Sequence, residues 1–238
     1  MAFIAATTGY TAGSYFNVDI PAGTAVGDAL ILVAGRWSSL GDDSGYTTPP
    51  GWTQQGLISR IHLSGFLGFS QWTRVVDGTE AQISWLDSAA YRGAYICAYE
   101  SDGIAPSWAS GPGQDQGIDV SSPPMEITFG SVANPTSEKQ ILFYPWSTFT
   151  YYDRPTTVTL GDGLVSRVEI EPSAGSMRFG AADQEVGSGD FPAETTSWTW
   201  SGYEGGAHMH RLYRAGTLVS GSDHWAWAEE DLDSWAMA

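Results

Sequence analysis

The chain has 238 residues, a formal net charge of −17 and Lys139 as its single lysine. So acidic a surface repels phosphate backbones and anionic headgroups, which excludes direct nucleic-acid binding and electrostatic docking to membranes. One cysteine, Cys97, rules out an intrachain disulfide, and the length suffices for a sizeable core without one.

Met1–Thr8 carries no basic residue and only a short apolar run, unlike a secretory signal, and no window is apolar for long enough to span a membrane. A chain folded in a cytoplasm is expected. Helical periodicity is almost absent, and strand-like runs recur roughly every 8–15 residues with turn signals between them. In the first half the predicted strands are 15–20, 29–37, 53–61, 65–76, 81–86 and 93–100. In the second they are 125–132, 140–147, 156–160, 165–170, 176–182, 195–200 and 207–213. Val26-Gly27-Asp28, Asp77-Gly78, Gly161-Asp162-Gly163 and Ser188-Gly189-Asp190 supply turn chemistry. Twenty-nine glycines with eleven tryptophans and eleven tyrosines suit short strands and tight turns.

The two halves echo each other. A shift of 113 positions places Asp77, Ser84, Trp85, Gly93, Ala94 and Gly103 on Asp190, Ser197, Trp198, Gly206, Ala207 and Gly216. Upstream, Leu30–Ser38 is similar to Gln140–Ser147. The expected fold is all-β: a jelly-roll-like β-sandwich with weak internal duplication over residues 1–221. Its halves, about 1–103 and 125–221, are expected to interleave in one sandwich, with 102–124, rich in Gly, Pro, Ser and Asp, as a long connection. Residues 222–238 form an acidic C-terminal arm. Its Trp225, Trp227, Leu232 and Trp235 are candidate partner-binding residues, because exposed tryptophan is costly unless it docks. Docking on a neighbouring subunit and folding back on the same chain are both open.

Candidate chemistry is sparse. His208-Met209-His210 puts two imidazoles on one face of a strand, with His224 soon after. The arrangement is faintly similar to the metal motif of cupins, but Arg211 and Arg214 stand where a cupin carries a Glu, so no metal or other cofactor is expected. Twenty-seven acidic residues make any carboxylate pair non-specific. No Gly-x-Ser-x-Gly elbow or phosphate loop is present, Cys97 reads as a buried strand residue, and Gly41–Gly45 reads as a solvated turn rather than a calcium loop. No enzyme activity is expected. Trp108, Tyr151 and Tyr152 are candidate sugar-stacking rings, while Trp37, Trp52, Trp72, Trp85, Trp146 and Trp198 read as core.

Three further stretches belong together: Gly27–Val33, Pro49-Pro50-Gly51-Trp52-Thr53, and Phe69–Glu80 with its Val75-Val76-Asp77-Gly78 turn. This combination over residues 25–100 resembles a β-sandwich module of tailed-bacteriophage virion proteins, of the minor-tail or head-decoration type. The module has Pro-Pro-x-Gly-Trp where this chain has Pro-Pro-Gly-Trp, and the second half lacks the motif. The resemblance implies a non-enzymatic structural protein that assembles in a bacterial host cytoplasm and resides in the virion. Its expected partners are other virion proteins and further copies of itself, as a homo-oligomer. A host-surface glycan is a further expected partner, for adhesion. The alternatives are a carbohydrate-binding module and a cupin-like metal protein.

Overall fold

A computed structural model describes residues 2–9, 15–38, 46–62, 65–86, 91–100, 108–110, 124–136, 138–150, 156–173, 177–200 and 205–214. Within them the chain is all-β: sixteen strands, no helix, and antiparallel ladders throughout. The first half contributes β1 (Phe3–Gly9), β2 (Tyr15–Val18), β3 (Ala29–Ser38), β4 (Thr53–His62), β5 (Gly65–Val75), β6 (Ile83–Leu86) and β7 (Tyr91–Tyr99). The second contributes β8 (Trp108–Ser110), β9 (Met125–Phe129), β10 (Gln140–Thr150), β11 (Thr156–Thr159) and β12 (Val165–Ser173), followed by β13 (Met177–Val186), β14 (Glu194–Trp200), β15 (Gly205–Met209) and β16 (Leu212–Arg214).

Each half builds one large sheet and one small one. The first half has the orders β1-β7-β3-β5-β4 and β2-β6. The second has β12-β13-β10-β16-β8, with β15 also on β10, and β11-β14-β9. Read from the opposite edge, the second large sheet repeats the first strand for strand, with β8, β15 and β16, β10, β13 and β12 in the places of β1, β7, β3, β5 and β4. In both halves a small-sheet pair, β2-β6 or β9-β14, lies nested in sequence inside a pairing of outer strands, β1-β7 or β8-β16. Among the described residues no sheet mixes strands of the two halves, where interleaving was the expectation.

Three apolar layers explain the stacking. Between the two large sheets, Ile31, Val33, Tyr95 and Cys97 pack on Ile141, Phe143, Phe179 and Leu212. On the outer face of the first large sheet, Leu30, Leu32, Trp72 and Ile96 meet Ile83 and Trp85 of the small sheet. On the outer face of the second, Leu142, Tyr144 and Trp146 meet Ile127, Phe129 and Trp198. A large sheet is thus covered on both sides. Alternation then disappears from the sequence, and Ala29–Ala34 reads as an unbroken apolar run although odd and even residues face different cores.

The echo between the halves is structural. Trp85 of β6 lies opposite Phe16 of β2, and Trp198 of β14 lies opposite Met125 of β9. Both indoles are buried in their own half's core. Their polar edges differ. Trp85 Nε1–H donates to the Thr47 carbonyl at 3.1 Å, whereas Trp198 Nε1 has no partner among the described residues. Trp85→Phe is therefore expected to cost ~0.5–1.5 kcal/mol more than Trp198→Phe, because only the former strands a carbonyl. Paired urea titrations of the two variants check this difference.

The seam between the halves also holds polar bonds. Tyr95 Oη donates to the Gly180 carbonyl at 2.7 Å, and Tyr99 Oη donates to Asp183 Oδ2 at 2.9 Å. Arg167 Nε donates to the same oxygen at 2.8 Å. Burial pushes both phenols well above their ordinary range, so they remain protonated donors. Burial likewise raises the Cys97 thiol, which fits the buried, unreactive strand residue expected.

Two strands escape sequence periodicity: β1 and the three-residue β8. The latter lies inside the stretch expected as a long connection and carries Trp108, whose backbone pairs with Arg214. The predicted strand 207–213 is divided into β15 and β16. Residue 210 lies opposite Pro145, whose carbonyl accepts the His210 N–H at 2.9 Å. Pro145 has no N–H to return, so the ladder breaks there.

Candidate functional site

The described residues bring the three resemblance-carrying stretches together at one end of the first half. Gly27 N–H donates to the Val76 carbonyl at 2.9 Å, and Val76 N–H donates to the Asp28 carbonyl at 2.8 Å. Asp28 Oδ2 accepts the Ala25 N–H at 2.7 Å, closing the turn before β3. Pro49–Trp52 forms a type II turn: Trp52 N–H donates to the Pro49 carbonyl at 3.1 Å, Pro50 presets its own φ, and Gly51 takes φ 79°. A side chain at Gly51 would be strained, and its Cβ would lie 2.6 Å from Arg74 Nη1.

Arg74, near the end of β5, ties the turns together. Nη1 donates to the Pro50 carbonyl at 3.2 Å, Nη2 donates to Thr79 Oγ1 at 2.8 Å and to Asp77 Oδ1 at 3.0 Å, and Nε pairs with Glu80 Oε1 at 3.0 Å. Glu80 in turn accepts the backbone N–H groups of Asp77 and Gly78 at 2.8 and 3.0 Å. The guanidinium and the Glu80 carboxylate are nearly buried, at 10% and 6% side-chain exposure, whereas Asp77 is 61% exposed.

The Thr79 hydroxyl and then the Thr79 N–H, aided by Arg74, pull the Asp77 carboxyl down to about 2. A depressed folded value means that this group's contribution is complete above its unfolded range near 3.8 and is lost as pH falls through about 2. Wild-type protein is expected to lose stability over that window, and Asp77→Asn to lose less of it. Urea midpoints measured from pH 5 to 2 check the sign.

Between the Pro-Pro-Gly-Trp turn and the start of β6 lies a cleft of about 650 Å³. Pro49, Pro50, Trp52 and Trp85 are among its apolar lining residues, and Asp77, Thr79, Gln82 and Ser84 are among its polar ones. Its floor is fixed: Trp72 Nε1–H donates to Thr48 Oγ1 at 3.1 Å, and the Trp72 and Trp85 rings stack at 5.7 Å. Sequence reasoning assigned Trp52 and Trp85 to the core, and each is at least nine-tenths buried. It missed that their remaining edges line a recess. The Pro-Pro-Gly turn was the signal available, because a rigid turn beside a buried aromatic commonly frames a groove.

The residues expected as site residues are not gathered here. Trp108 lies in β8 on the edge of the second large sheet, and its side chain is outside the described set. Tyr151, Tyr152, His224, the loop 41–45 and the arm with Trp225, Trp227, Leu232 and Trp235 all lie outside the described residues. His208 pairs through its backbone with Ser147 in β15. The His210 imidazole is directed to the other half, with Nδ1 3.2 Å from Gln71 Nε2. Among the described residues no His, Cys, Asp and Glu side chains cluster as a metal site, and no helix is long and apolar enough to cross a membrane.

No family model, curated protein or solved structure matches this chain.

Proposed function

We propose that this chain is a non-enzymatic structural protein of a tailed-bacteriophage virion, a minor tail or capsid-decorating component that works through contact. Its partners are other virion proteins and further copies of itself, and part of its surface adheres to the host. The observation that supports the reading is how the resemblance-carrying residues are spent. Arg74, Pro50, Asp77 and Glu80 bond to one another, Gly27 and Asp28 bond to Val76, and Gly51 supplies the positive φ of its turn, so three turns are held rigid. A side chain whose donors are consumed in this way stiffens a presenting surface and is poorly placed to act on a substrate. Strong acidity favours solubility at high local concentration before assembly.

The test is incorporation. Particles grown with a chain lacking 222–238 are expected to lack the protein, while the purified truncated chain keeps the far-ultraviolet spectrum and cooperative melting of the full one. Incorporation of the truncated chain at full occupancy would remove the arm from the account. Failure of antibodies against the full chain to label any particle would remove the virion reading itself.

A further inference from the structure

We propose that the cleft between the Pro49–Trp52 turn and β6 is a binding site for a neutral saccharide. The inference deepens the adhesive part of the reading above and rests on it for the biological source of the sugar, though not for the chemistry. At about 650 Å³ the recess falls in the size range of small-molecule sites, roughly 300–1,000 Å³. Its walls are built in advance. The Arg74 bonds fix the turn on one side, and on the other Ser84 Oγ donates to Asn17 Oδ1 at 2.5 Å, pinning β6 to β2.

The chemistry follows from which atoms are left over. Every Arg74 nitrogen is engaged, so the described residues lining the cleft offer no free cation to an anionic ligand. Asp77 Oδ1 takes Thr79 and Arg74, while its Oδ2 has no partner among the described residues and faces solvent. Gln82 spends its Nε2 on Asp19 Oδ1 at 2.6 Å, which leaves its Oε1 as an acceptor. Ser84 donates its proton to Asn17 and keeps its lone pairs. The polar lining is thus rich in acceptors and carries an ionised carboxylate above about pH 2. The same lining includes apolar edges of Pro50, Trp52 and Trp85. A ligand that matches this lining presents both hydroxyl donors and C–H groups, and carries no negative charge. A neutral pyranose meets these requirements. Sialic acids, uronic acids and phosphorylated sugars do not, on a chain of net charge −17.

The experiment is saturation-transfer NMR on the full chain with the methyl glycosides of glucose, galactose and N-acetylglucosamine. Sialyllactose and a lysine-rich peptide are run alongside, each at up to ~10 mM, beyond the weak end of specific binding. At least one neutral glycoside is expected to bind. Gln82→Arg, which puts a long side chain into the recess from an exposed position, is expected to weaken it at least about tenfold with an unchanged melting temperature. A second variant, Ser84→Ala, removes an acceptor without adding bulk, and a measurable loss is expected there too. Silence from every neutral glycoside, tighter binding of the peptide or of sialyllactose, or full binding by Gln82→Arg overturns the proposal. Saccharide binding by a chain that antibodies never find on particles would leave this site standing and remove the virion assignment.

Discussion

Phe179→Ala is expected to destabilise the protein by about 3–5 kcal/mol, lowering its melting temperature by roughly 10 °C. Phe179 of β13 is 2% exposed and sits in the layer that joins the two large sheets. Its ring lies over Gly35 of β3, so close that a Cβ there would fall 2.0 Å from Cε1. The glycine and the ring form a complementary pair across the seam, one from each half. Gly35→Leu alone is therefore expected to overpack, at a cost of about 1–3 kcal/mol. The double variant should recover part of the loss, because leucine fills the space the ring vacates. A double-mutant cycle in urea measures this coupling. Additive costs, or a Phe179→Ala variant within ~1 kcal/mol of wild type, would mean that the halves do not meet through this layer.

Asp183→Ala is the second large effect, with an expected loss of about 2–3 kcal/mol. The carboxylate is almost completely buried and accepts from Arg167 on one side and Tyr99 on the other. Removing it strands a phenol and a guanidinium that is only about a quarter exposed, and an uncompensated buried donor costs more than the bond itself contributed. Arg167 also sits 4.6 Å from the Phe3 ring, so its displacement loosens β1. Tyr99→Phe should cost less, about 1 kcal/mol, since Arg167 still serves Asp183. The order of these two variants in chemical denaturation is the check: an equal or reversed order would show that the Arg167–Asp183 pair is not anchoring the seam.

The all-β sandwich and its duplication were legible in the sequence because the turn residues are explicit and the apolar runs short. Trp85 and Trp198, found by a plain offset of 113, occupy matching places in the two small sheets. Separation of the halves was not legible. Strands such as Ala29–Ala34 are buried on both faces, and an unbroken apolar run does not say which neighbour covers which side. The β1 strand was hidden for another reason: Phe3–Gly9 is an edge strand whose residues are mostly half-buried, without alternation to read. With three residues, β8 is too short to carry any period.

The cleft was half legible. The Pro-Pro-Gly-Trp and Val-Asp-Gly turns stand out in the sequence. Their meeting through Arg74 could not be read, because it joins residues 24 positions apart by a side-chain donor. The aromatic residues picked for exposure were chosen for their loop setting, whereas the recess uses edges of tryptophans that belong to the core.

Quantitative mass spectrometry of density-gradient-purified phage particles tests the central claim, that this duplicated sandwich is a contact-making virion component, most directly. The account predicts a fixed number of copies per particle, retained through a high-salt wash. A chain that is abundant in the infected cell yet missing from particles, or present only in traces that vary between preparations, would contradict it.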